Sequence, residues 1–95
     1  MTRERAKQTV QINDTQVKVG RWDFLPGAKT GWHKHAMDYI VVPLTKGTLN
    51  AELFSGSTVK NKLTVGESYT RPAGVCHNII NVDNEPFGFI EIELK

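Results

Sequence analysis

The 95-residue sequence has one cysteine, Cys76, which cannot close an internal disulfide, so the fold does not depend on an oxidising compartment. Long apolar runs are missing as well. The longest, Tyr39 to Leu44 with Pro43 inside it, falls far short of the roughly 20 residues that cross a bilayer. The opening MTRERAKQTV has no apolar signal-peptide core, so a cytoplasmic location without a membrane partner is expected. There is no basic stripe either: 12 Lys and Arg against 10 Asp and Glu leave a net charge of +2, scattered from Arg3 to Lys95. That pattern argues against nucleic acid as a partner. Helical periodicity is scarce, and only Thr2–Thr9 has a helical look. An apolar content of 39% and a charged content of 23% are ordinary for a globular chain, and the length suits one domain spanning 1–95.

What recurs is a short stretch of Val, Ile, Thr, Phe or Tyr followed by a turn signal. The spacing predicts strands at Thr9–Asn13, Gln16–Leu25, Asp38–Thr45, Thr48–Phe54, Thr58–Val65, Glu67–Arg71, Val75–Val82 and Pro86–Leu94. Turn signals such as Pro26-Gly27, Lys46-Gly47, Gly66 and Pro72-Ala73-Gly74 separate them. The parity change between Val19 and Trp22, beside Gly20, predicts a bulge there. Pro43 predicts an irregular or edge position in its strand. So many short strands read as an all-β jelly-roll barrel, whose closure also protects the strand edges of a small chain.

The three histidines are not scattered. His33 and His35 are two apart, which places both side chains on one face of a strand. His77 follows 42 residues later on another predicted strand. Imidazole suits Zn, Fe, Ni, Cu and Mn, and three such ligands make half of an octahedral shell or most of a tetrahedral one. A bare His-x-His pair is a weak signal. Its surroundings add to it: Gly27 stands before the pair and Gly47 after it, and the third histidine lies in Gly66-Glu67-Ser68-Tyr69-Thr70-Arg71-Pro72-Ala73-Gly74-Val75-Cys76-His77-Asn78-Ile79-Ile80-Asn81.

These stretches, about 27–47 and 66–81, resemble the paired motifs of the cupin superfamily, G-x5-H-x-H-x(3,4)-E-x6-G and G-x5-P-x-G-x2-H-x3-N. The second matches at Gly66, Pro72, Gly74, His77 and Asn81. The first matches at Gly27, His33, His35 and Gly47, but its glutamate is absent: Tyr39 and Ile40 occupy the two slots. The resemblance implies a double-stranded β-helix barrel with one divalent ion on His33, His35 and His77, without the usual carboxylate. An ion lacking that carboxylate keeps its full positive charge and is the stronger Lewis acid toward an anion. Tyr39 is expected to line the pocket rather than to ligate. Trp22, Phe24 and Trp32 are expected in core or rim packing; Arg71, just before Pro72, could pair with a substrate carboxylate, but a solvated strand-end residue is the expectation. Cys76, next to His77, should face the other way.

Dioxygenation, isomerisation and decarboxylation all occur in that family, and some members only bind small molecules. For an enzyme, the expectation is iron(II)-dependent oxidation of a small anionic or enolisable molecule, with Zn, Ni, Mn and Cu open as other ions. The alternative is a non-catalytic metal-binding or sensing module. Family members often form homodimers, so a second copy is the expected macromolecular partner.

Overall fold

The computed structural model describes residues 4–95. Nine strands run in chain order: β1 Lys7–Asn13, β2 Val17–Phe24, β3 His33–Lys34, β4 Tyr39–Pro43, β5 Gly47–Leu53, β6 Thr58–Leu63, β7 Tyr69–Arg71, β8 Cys76–Asn81 and β9 Phe87–Leu94. They form a five-stranded sheet ordered β1-β2-β9-β4-β7 and a four-stranded sheet ordered β3-β8-β5-β6. The neighbouring strands of both sheets pair antiparallel. No helix among the described residues is long and apolar enough to cross a membrane.

All eight expected strands are present within a few residues of their expected bounds. The ninth, β3, is only two residues long, too short for a hydrophobic period to mark it. Thr2–Thr9 is not helical where it is described. Arg5 bridges Lys29 and Lys7 opens β1, while Thr2 and Arg3 lie outside the described residues. The expected bulge falls on the partner strand. Pairing of β2 with β9 runs unbroken from Val17 to Phe24, whereas β1 slips register between Val10 and Ile12, opposite Gly20 and Val19. Val19 and Trp22 differ in parity because Val19 faces outward while Trp22 packs against the core.

Pro43 ends β4 two residues beyond the last β7 pair, at Val41. On that flank its missing N–H forfeits no ladder bond. Gly27, Gly66 and Gly74 take positive φ, but Gly47 does not. A Cβ at Gly47 would stand 2.8 Å from the Phe87 ring, so close approach, not backbone freedom, is what demands glycine there.

The two sheets enclose a core that includes Phe24, Val41, Leu49, Leu63, Phe87 and Phe89. The rings of Phe24, Phe87 and Phe89 meet with centroids 4.8–6.3 Å apart and fill one end of the interior. Four residues beyond Phe87 along β9, roughly 13 Å on, the inward position is Glu91. There the interior opens into a cavity. On the outer face of the same sheet, Val19, Ile40, Val42, Ile90 and Ile92 form an apolar, only half-buried surface.

Candidate metal centre and adjoining cavity

The loop before β3 is stitched to β8 by several hydrogen bonds. Thr30 donates its N–H to the Ile79 carbonyl, and its hydroxyl accepts from the Ile79 N–H. Gly31 donates to Asn78 Oδ1, and the Asn78 amide is held in turn by Glu52. Gly31 has φ 86°, the left-handed region that side chains resist, and the turn it makes carries the chain into β3. His33 then pairs with His77 across the β3–β8 ladder. Backbone bonds from the His35 N–H to Val75 and from the Gly74 N–H to the His35 carbonyl carry that pairing past the strand end. The His33–His35 pair and the distant His77 thereby share one face of one sheet.

Their Nε2 atoms form a nearly equilateral triangle. His33 to His35 is 3.0 Å, His35 to His77 is 3.2 Å and His77 to His33 is 3.1 Å. His33 Nδ1 lies 2.9 Å from the Gly31 carbonyl and donates to it, so its Nε2 carries a lone pair in the neutral ring. With that nitrogen only an acceptor, three neutral rings cannot make good hydrogen bonds along all three sides. A cation satisfies all three at once. Metal–imidazole bonds of about 2.1 Å set nitrogens about 3.0 Å apart on an octahedral face and about 3.4 Å apart in a tetrahedron. The observed triangle lies between these values, nearer the octahedral face, so the donor set fits one divalent ion.

Burial keeps the site receptive. His35 and His77 are buried, and loss of hydration pushes their pKa values down to about 4 and about 3, with neighbouring histidine charge adding to the effect. Both rings are therefore neutral, the form that ligates, well below the usual imidazole range. The Tyr39 ring stacks on His35, centroids 3.9 Å apart and planes 24° from parallel. Burial, followed by the nearby Glu91 carboxylate, raises the phenol pKa and keeps Tyr39 protonated.

Tyr39 and His77 also line a cavity of about 230 Å³ in the barrel. Its walls are mostly apolar, Val41, Leu49, Leu53, Ile79 and Phe89 among them, with Arg71 and Glu91 as its other ionisable groups besides Tyr69. Phe24 is a core residue, Trp22 packs beside it, and Trp32 meets exposed Phe54 edge-on at the surface. Cys76 faces away from His77 and does not line the cavity. Asn81 is structural: its amide donates to the Phe24 and Glu85 carbonyls, and its Oδ1 accepts from the Asp83 N–H. Arg71 differs from expectation. It is half-buried and lines the cavity, because it lies directly opposite Tyr39 in the β4–β7 ladder and so shares its inward face.

Glu91 is the group the sequence reading missed. It is buried, and loss of hydration raises its pKa to about 7, with the Glu93 charge adding to the rise. Its Oε1 stands 3.8 Å from His35 Nδ1, on the ring edge opposite the triangle. Because His35 is neutral above about 4 and Glu91 is ionised only above about 7, this approach is not an ion pair at any pH. A carboxyl group is thus restored to the neighbourhood from β9, behind His35 instead of beside it.

Comparison with known proteins fits this geometry. The cupin domain family model matches residues 20–93. A protein of Pseudomonas aeruginosa named beta-alanine degradation protein BauB is 46% identical over 93 residues, covering 98% of this chain and 97% of its own. The crystal structure of a cupin domain from Bordetella pertussis Tohama I superposes with a TM-score of 0.95 at 54% identity, covering 100% of this chain and 98% of that one. Oxalate oxidase bound to the substrate analogue glycolate shares the fold alone, with a TM-score of 0.72 at 21% identity over 96% of this chain and 51% of that one.

Proposed function

Because this chain belongs to the cupin family, we propose that it holds one divalent metal ion on His33, His35 and His77 and uses it to act on a small anionic or enolisable molecule. The observation that carries the reading is the Nε2 triangle, three imidazole nitrogens with 3.0–3.2 Å sides, one of whose rings, His77, also lines the apolar cavity. Iron(II) is the ion this reading favours, since a three-nitrogen face leaves positions free for a molecule and for dioxygen. When bound, the ion supplies Lewis acidity and those open positions. The protein's own groups do the rest. The Gly31 carbonyl fixes the His33 tautomer, the Tyr39 ring fixes the plane of His35, and the apolar walls exclude water. Glu91, the buried carboxyl nearest the site, is the group suited to take up or release a proton near neutral pH. The relative named for β-alanine degradation supports a ligand of the size of a short amino acid or its carbon skeleton.

Replacing His77 with Ala is the direct test. Partners one shell out from a metal are worth about 10–100-fold in affinity, so removing a ligand should cost more than that. We expect metal content to fall from one ion per chain to a small fraction, with the barrel still folded by circular dichroism. Undiminished metal content would overturn the assignment.

The macromolecular partner in this reading is a second copy of the chain, seated on the apolar outer face formed by Val19, Ile40, Val42, Ile90 and Ile92. The solution mass by sedimentation should be that of a dimer, and replacing Ile40 and Ile92 with Lys should give a monomer. A wild-type monomer at micromolar concentration would contradict it.

A further inference from the structure

The cavity holds a cation with no counter-ion. Arg71 projects inward from β7, directly opposite Tyr39, whose ring stacks on His35. One aromatic ring therefore separates its position from the histidine triangle. The guanidinium carbon lies 4.5 Å from the centroid of the Tyr69 ring, and Nη1 donates to the Thr70 carbonyl at 2.9 Å. Stacking and that single bond orient the planar fork and leave most of its five N–H donors uncommitted. Among the described residues the one ion pair within 4 Å is Arg21 with Asp23, and the Glu91 carboxyl approaches His35 instead, so no described carboxylate neutralises Arg71. Its charge is felt at His77, whose pKa it helps to lower.

We propose that Arg71 anchors the carboxylate of the molecule held beside the three histidines, and that this molecule is a short monocarboxylate. The inference rests on the reading of the cavity as the ligand chamber of a metal centre and names the ligand class for it. Three observations on the chamber define that class. A planar, stacked guanidinium with free parallel N–H groups matches the two oxygens of a carboxylate. Arg71 is the one Lys or Arg among the described lining residues, so a second carboxylate finds no partner. A volume of about 230 Å³, smaller than the roughly 300–1,000 Å³ of drug-sized sites, with walls of Val41, Leu49, Leu53 and Ile79, takes a chain of a few carbons.

The test uses the full chain, both zinc-loaded and chelator-treated, titrated by calorimetry at constant ionic strength with propionate and with its neutral isostere propionamide. Propionate should bind both forms, with propionamide weaker by at least about tenfold, as expected for losing a charge-assisted bidentate pair. Arg71→Met should weaken propionate by a similar factor with metal content unchanged. Arg71→Lys should restore part of the loss, because an ammonium keeps the charge without the fork. Equal binding of propionate and propionamide to the wild-type chain overturns the inference without recourse to any variant, and so does an absence of propionate binding. Propionate binding that survives Arg71→Met, or that disappears with the metal, also overturns it, the latter because the carboxylate then sits on the ion. Absent metal with propionate still held through Arg71 would sink the metal reading and leave the carboxylate anchor standing.

Discussion

Glu91→Gln isolates the energetic consequence of placing a carboxyl group in the barrel. Burial raises the Glu91 pKa from an ordinary 4.5 to about 7. Each factor of ten in the ionisation equilibrium is worth about 1.4 kcal/mol, so charging this group in the folded state costs at most about 3.5 kcal/mol more than in the unfolded chain. The sign follows from the direction of the change. Between pH 4.5 and about 7 the folded protein retains a proton that the unfolded chain has released. The contribution of Glu91 to stability is therefore greatest below pH 4.5 and is lost as pH rises through 7. Glutamine keeps the shape and never ionises. Urea unfolding of chelator-treated wild-type and Glu91→Gln proteins at pH 5 and pH 8 removes the metal from the comparison. Taking the difference between the two proteins cancels the opposite titration of His35 and His77. The advantage of the glutamine variant should be larger at pH 8 than at pH 5 by about 2–3 kcal/mol, less whatever water penetration recovers. If the two differences agree within about 0.5 kcal/mol, the uncertainty typical of such comparisons, the carboxyl is hydrated and the reasoning fails.

Two further outcomes follow from the same geometry. Because His35 and His77 remain neutral down to about 4 and 3, metal content measured after equilibration across the acid range should fall with a midpoint below the ordinary imidazole value of 6.5; a midpoint at or above 6.5 would show that these rings are hydrated. Ferric loading should give no intense iron–tyrosinate band in the visible, because the Tyr39 ring lies flat on His35 and its phenol is held protonated; a band that Tyr39→Phe abolishes would make the tyrosine a ligand.

The strands were legible because turn signals punctuate a period-two pattern. The histidines were legible because their spacing and flanking glycines are local features of the chain. What escaped the sequence was parity where both faces are apolar. In β9 the inward set is Phe87, Phe89 and Glu91, while the outward set includes Ile90 and Ile92, so composition alone does not say which face holds the glutamate. Arg71 was misplaced for a related reason. A charged residue at a strand end defaults to solvent, and only its register opposite Tyr39 turns it inward. The bulge near Gly20 was sensed at the right height in the sheet but on the wrong strand, since a register slip leaves its mark on both partners.

His33, His35 and His77 all belong to the four-stranded sheet or its immediate extension, whereas Tyr39, Arg71 and Glu91 all come from the five-stranded sheet facing it. The barrel thus separates two tasks between two walls that meet only across the interior. A substitution at Arg71 touches only the wall that faces the histidines, whereas one at Tyr39, stacked on His35, reaches both walls.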